Sequence, residues 1–162
     1  LKEIVYDYSR NEKRRQCKSK RNYTRFIKPL GLALPGTGYF APQLNDLHQY
    51  YNNLKHANYW VVGMEGEVFG GIGIAPFNEH DKVCELQRLY LIPKAQGLGF
   101  SKKLMETAFS FASKHYDKCY LETMHELKTA CLLYEKFGFI LLNEPLPGSE
   151  HPTMNAWYIK SF

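Results

Sequence analysis

Between Val83 and Ala112 the chain runs VCELQRLYLI, then Pro93, then KAQGLGFS. A stretch follows in which Leu104, Met105, Ala108, Phe109 and Ala112 recur at the spacing of one helix face. A strand stopped by proline, a glycine-bearing loop and an amphipathic helix can be joined in few ways. The glycines allow a tight turn that brings successive N–H groups toward one point, and the helix N-terminus adds its partial positive charge. The unit is therefore an anion cradle suited to a pyrophosphate. It is not a P-loop, because no GK[ST] follows. It is not a dinucleotide fingerprint either, because the spacing differs and no acidic residue follows at the right distance. Taken alone, GLG before a helix also suits an ordinary tight turn, and both readings stand at this point.

The flanking sequence places this unit in a mixed sheet. Leu1, Ile4, Val5 and Tyr8 fall at i, i+3, i+4 and i+7, which predicts a short amphipathic helix at the start of the chain. Pro42 can open a second helix with Leu44, Leu47, Tyr51 and Leu54 on one face. YWVVGM and EVFGGIGIA read as two strands joined at Glu65-Gly66, and Gly70, Gly71 and Gly73 predict a bulge or a close backbone approach within the second. Beyond the helix after the cradle come a strand (KCYLETM), a helix (TACLLYEKFGF) with Gly138 at its C-terminal cap, and two last strands, ILL and NAWYIKSF. Strands alternating with helices in the second half predict an α/β fold in a single domain spanning residues 1–162.

Charge and cysteine usage exclude several classes. The net charge is +5, yet residues 11–26 hold seven basic residues and one acidic, leaving 14 basic against 15 acidic elsewhere. The basic character is thus local. It fits either a solvated surface segment or a polyanion contact, and no nucleic-acid-binding motif accompanies it, so a nucleic-acid partner is not expected. Cys17, Cys84, Cys119 and Cys131 make no CxxC pair, and three of them lie among apolar residues, which predicts buried free thiols and no metal site. No run approaches the roughly 18 apolar residues of a membrane span, and the opening LKEIVYDYSR has no apolar leader. A soluble cytoplasmic protein with no membrane partner is the expectation.

ELQRLYLIPKAQGLGFSKKLM resembles the acetyl-CoA-binding motif of the GNAT N-acetyltransferases, [RQ]-x-x-G-x-[GA]. Gln96 and Gly99 match it, and Ser101 stands where Gly or Ala is usual. ACLLYEKFGF is similar to the family's helix ending in Tyr-Glu-Lys-x-Gly-Phe. The resemblance covers residues 43–162, and the family's first strand is not evident before them. It implies a mostly antiparallel mixed sheet of about six to seven strands with a splayed central pair, flanked by about four helices. Acetyl-CoA is the implied co-substrate, a primary amine of a small molecule or peptide the implied acceptor, and a homodimer a common arrangement among relatives.

The resemblance also assigns roles to residues. The backbone of Gln96, Gly97, Leu98, Gly99, Phe100 and Ser101 would hold the pyrophosphate, with Lys102 adding charge. Leu89, Tyr90 and Leu91 would pair with the pantetheine arm, and an N–H near Leu91 would polarise the thioester carbonyl. Amine transfer needs a proton acceptor and, for the leaving thiolate, a proton donor. Glu85, on the strand face it shares with Gln87 and Leu89, is the candidate base. Tyr134, on the helix face of Ala130, Leu133 and Phe137, is the candidate acid. A Glu on a half-exposed strand and a plain core tyrosine are the structural alternatives. Leu127 stands where many relatives carry a cofactor-contacting Asn. On the acceptor side Glu122, His125, His151 in the proline-rich loop 143–154, and Tyr39 with Phe40 are candidates. Two other functions remain open: a non-catalytic acyl-CoA-binding module, and an acetyltransferase acting on a nucleic-acid-associated basic protein.

Overall fold

The structure is a computed structural model that describes residues 4–7, 47–64 and 67–162. Among these, seven strands form one sheet: β1 (Ile4–Asp7), β2 (Asn58–Met64), β3 (Glu67–Asn78), β4 (Val83–Leu91), β5 (Lys118–Thr123), β6 (Ile140–Leu142) and β7 (Ala156–Ser161), in the order β1-β2-β3-β4-β5-β7-β6. Three α-helices accompany them, α1 (Leu47–Asn53), α2 (Phe100–Ala112) and α3 (Lys128–Lys136), with a 3-10 turn at Pro93–Ala95. Every neighbouring pair is antiparallel except β4 and β5. No helix among the described residues is long and apolar enough to cross a membrane. The basic segment 11–26, Cys17, Tyr39, Phe40 and the turn at 65–66 lie outside the described residues.

One expectation is corrected. Residues 4–7 form a strand paired antiparallel with β2, Ile4 opposite Gly63 and Asp7 opposite Trp60, where the apolar spacing predicts a helix and no first strand of the family is evident in the sequence. The i, i+3, i+4 spacing is compatible with a helix, but four residues cannot sustain one against a ready-made sheet edge that satisfies their backbone groups.

Alternation along the strands divides the core in two. Tyr59 and Val61 point to one face, where they pack with Leu47 and Tyr51 of α1 and with Tyr90. Trp60, Val62, Ile72, Ile74 and Leu86 point to the other, against Leu104, Met105 and Ala108 of α2 and Tyr134 of α3. Period-2 placement thus buries both faces of the central strands, which explains their nearly unbroken apolar runs. Cys84, Cys119 and Cys131 are free and buried, as the sequence predicts.

The β3 glycines serve close approach. A Cβ on Gly71 would run into the Tyr59 ring, and one on Gly73 into the Tyr51 phenol. Without those side chains β3 lets two tyrosines lie flat on the sheet. Gly73→Ala is expected to displace Tyr51 and destabilise the fold by about 1–3 kcal/mol, the usual cost of overpacking. Thermal melting checks this: at about 2–4 °C per kcal/mol for a domain of this size, Tm falls by several degrees.

Candidate active site

The parallel pair β4–β5 is joined for three residues only, Val83 with Lys118, Cys84 with Cys119 and Glu85 with Tyr120. β4 then continues to Leu91 along β3 and β5 to Thr123 along β7 without pairing with each other, so the two strands part at Glu85. β4 carries a bulge just beyond the fork. Gln87 opposes Gly73 and Tyr90 opposes Gly71, so Arg88 and Leu89 together face the single residue Ile72. Arg88 takes up the extra length with a left-handed φ of 52°. The parted strands, the start of α3 and the loop before β7 enclose a cleft of about 860 Å³.

The glycine loop lies at one end of the cleft. Gly97 and Gly99 both have left-handed φ, 76° and 81°, and no atom lies within 4 Å of where a Cβ would stand on either. Gly99 is the N-cap of α2, with no side-chain cap and no acidic residue in the first turn. The helix N-terminus therefore presents its positive end with no carboxylate in its first turn to neutralise it. Of the residues assigned to the cofactor, Leu89, Tyr90, Leu91, Gln96, Gly97 and Ser101 line the cleft. Gln96 donates from Nε2 to the Leu91 carbonyl (3.3 Å), tying the loop to the end of β4. Leu98 is exposed, and Phe100 is buried in the core, where it anchors the helix start. Lys102 lies on the surface, 3.8 Å from Glu106.

Glu85 and Tyr134 line the same cleft. Burial raises the Glu85 carboxyl above the ordinary carboxylate range, and the Glu122 carboxylate adds to this. A hydrogen bond from Gln87 and the nearby His151 and Arg88 oppose it without cancelling it. Gln87 is fixed in turn: its Nε2 donates to Glu85 Oε2 (2.5 Å) and its Oε1 accepts from the Tyr51 hydroxyl (2.9 Å). Tyr134 is nearly fully buried, with its ring about 6.0 Å from those of Phe139 and Tyr158. Leu127 lines the cleft as the N-cap of α3 and makes no side-chain cap.

The acceptor candidates divide. Glu122 and His151 line the cleft, whereas His125 is exposed outside its lining and donates its backbone N–H to Asn155 Oδ1 (2.8 Å). The proline-rich loop is tied back by a hydrogen bond from the Leu146 amide to the Tyr120 hydroxyl (3.3 Å), which delivers His151 and Met154 to the cleft. Sequence reasoning did not single out Arg88 or Tyr51. Arg88 is a charged residue on a strand and Tyr51 an apolar-face residue of α1; the β3 glycines signal a close approach, but nothing local says that Tyr51 fills it or that the bulge of β4 falls at Arg88.

Residues 32–139 match the model of the Acetyltransferase (GNAT) family. The chain belongs to this family. It is 47% identical over 100 residues to the uncharacterized N-acetyltransferase YjgM of Escherichia coli (strain K12), covering 60% of this chain and 59% of that one. Over 122 residues it is 31% identical to the N-acetylaspartate synthetase of Xenopus tropicalis, covering 72% of this chain and 45% of that one. The chain thus spans about half the length of these curated relatives. The PaiA N-acetyltransferase of Thermoplasma acidophilum, solved in complex with coenzyme A, shares the GNAT fold with it at a TM-score of 0.72 and 16% identity over the full length of both chains.

The raised Glu85 pKa has a consequence for stability. Burial raises the Glu85 pKa on folding, so between the unfolded and folded pKa values the folded state holds a proton the unfolded chain has released. That contribution is complete below the unfolded pKa and is lost as pH rises through the folded one. Glu85→Gln stays neutral throughout. Its Tm is expected to match wild type near about pH 4, where an ordinary carboxyl is half protonated, and to exceed it increasingly as pH rises. Paired melting curves across pH check the trend.

Proposed function

We propose that this GNAT-family chain is an N-acetyltransferase that moves an acetyl group from acetyl-CoA directly to a primary amine, with Glu85 as base and Tyr134 as acid. The observation that carries the reading is that both side chains line one cleft whose far end is the uncapped, glycine-turned N-terminus of α2. The backbone from Gln96 to Ser101 holds the pyrophosphate. β4 beyond the fork offers Leu89, Tyr90 and Leu91 to the pantetheine arm, because β5 has left that edge unpaired. An N–H near Leu91 polarises the thioester carbonyl. That the PaiA relative was solved with coenzyme A supports the choice of co-substrate.

The acceptor enters as an ammonium ion, which Glu122 and Glu85 attract. Glu85, directly or through one water, removes a proton so that the amine nitrogen carries a lone pair. The nitrogen attacks the thioester carbon, the C–N bond forms, and collapse of the oxyanion breaks the C–S bond. The phenol of Tyr134 gives its proton to the departing CoA sulfur and is restored from solvent. As the C–S bond breaks the nitrogen sheds its second proton to solvent and keeps the third, so the products are an amide, free CoA thiol and one released proton. A base with a pKa above the ordinary carboxylate range is the stronger acceptor for this proton. The N-acetylaspartate synthetase relatives, by name, make an acetylated amino acid, which favours a small-molecule acceptor.

Release of CoA thiol with a panel of amines tests the proposal. Glu85→Gln is expected to lower kcat/KM by about 10²–10⁴-fold and Tyr134→Phe to lower kcat by about 10²-fold, the range typical of general acid–base groups. The acid limb of the wild-type kcat/KM profile should lie above the ~4.3 of a free glutamate and vanish in Glu85→Gln. Variants with wild-type rates would remove both residues from the chemistry.

A further inference from the structure

The transfer chemistry gives no task to the Tyr120 hydroxyl, although it stands between two parts of the acceptor wall. Tyr120 is fully buried on β5 and does not line the cleft. Its ring lies 4.7 Å from that of Phe77, near the end of β3. Alternation along β5 puts Glu122, two residues on, on the same face of the sheet. The hydroxyl donates to Glu122 Oε1 at 3.0 Å and accepts from the Leu146 amide at 3.3 Å. A phenol has one proton to give, and an amide N–H can only donate, so that proton is directed to the carboxylate. Burial raises the Tyr120 pKa, which keeps the proton on the phenol.

Both partners of the hydroxyl are committed to the cleft. Glu122 lines it, and its Oε2 atom is buried with no hydrogen-bond partner among the described residues. A buried carboxylate oxygen is costly until a donor completes it, and the ammonium group of an acceptor is such a donor. With Oε1 held by Tyr120, Oε2 is the oxygen left to take it. Leu146 belongs to the loop that brings His151 and Met154 to the cleft. It opens a turn closed by the Ser149 amide on the Leu146 carbonyl (3.2 Å), with Gly148 left-handed at φ 97°. A Cβ on Gly148 would stand 4.0 Å from the Phe77 ring, so the turn rests on the same aromatic side chain that supports Tyr120. The hydroxyl thus sits where the carboxylate of the sheet meets the backbone of the loop.

We infer that Tyr120 is a positioning residue for the amine acceptor: its hydroxyl sets Glu122 and the loop that carries His151 in one fixed relation, and it acts on the acceptor through Glu122. This rests on the transfer reading above. Tyr120 takes no part in the chemistry itself, so it governs acceptor affinity more than turnover.

The test is CoA-thiol release at saturating acetyl-CoA with a panel of L-amino acids, alkylamines and spermidine, followed by kinetics with the best of these acceptors. Tyr120→Phe keeps the ring on Phe77 and removes only the hydroxyl. It is expected to raise KM for that acceptor about three- to thirtyfold, the range for losing a hydrogen bond that holds a charged group, with a much smaller fall in kcat. In a Glu122→Ala background the same substitution should raise KM by no more than about twofold, because the residue it acts through is gone. Glu122→Asp, which keeps the charge but withdraws it from the hydroxyl, should raise KM to a similar extent as Tyr120→Phe. In the acceptor-free protein, hydrogen exchange at the Leu146 amide should quicken in Tyr120→Phe. A wild-type KM in Tyr120→Phe or in Glu122→Asp would overturn the inference while the transfer reading survives. So would a full-sized effect of Tyr120→Phe in the Glu122→Ala background, which marks a merely structural role, or unchanged exchange at Leu146. Transfer to no acceptor of the panel would overturn the transfer reading and the inference with it.

Discussion

Everything at the cleft follows from the parting of β4 and β5. A parallel pair held at Val83, Cys84 and Glu85 and released beyond them leaves one edge of β4 without its strand partner inside the protein. Buried backbone groups must find partners, so an open strand edge in the middle of a sheet is kept only where something else completes it. The same fork sets the chemistry of Glu85, the last residue of β4 to be paired with β5. A carboxyl at that point is half-buried by the sheet yet opens on the cleft, so burial raises its pKa without sealing it from a substrate.

The glycines of β3 and the bulge of β4 form one device on the opposite side of β4. Gly71 and Gly73 make room for Tyr59 and Tyr51, and the extra residue of the bulge falls opposite Ile72, between them. The bulge turns Arg88 toward Tyr51 and Gln87, and Gln87 passes the constraint on to Glu85. The hydrogen bond from Gln87, itself held by Tyr51 and Arg88, orients the carboxylate, while burial has the largest influence on its charge state. The cost is a charge held in partly desolvated surroundings, and stability is given up at neutral pH for reactivity there.

The parts of this arrangement visible in the sequence are those encoded by neighbours along the chain. The strand–proline–glycine–helix unit announced itself through period and composition, and Gly97 and Gly99 do adopt the left-handed conformations that a tight turn needs. The glycines of β3 were legible as a close approach, though nothing local named the tyrosines that fill the space. The strand at residues 4–7 was misread because its pairing partner lies far along the chain, and a spacing compatible with a helix says nothing of a waiting sheet edge. Arg88 was passed over for a related reason: a left-handed arginine follows from register between two strands and leaves no mark in the order of residues. The loop 143–154 is marked in the sequence by its prolines, and its tether to Tyr120 shows how it carries His151 into the cleft while His125 remains outside.

The claim on which the account depends is that the glycine loop and the N-terminus of α2 hold the pyrophosphate of acetyl-CoA. Calorimetric titration with acetyl-CoA, beside a Gly99→Glu variant whose melting curve shows it folded, tests this most directly. The variant places a negative charge at the helix end and a side chain where φ is left-handed. Saturable binding by the wild type, lost in the variant, is the predicted result. No heat of binding at millimolar acetyl-CoA, or equal binding by both proteins, would contradict it.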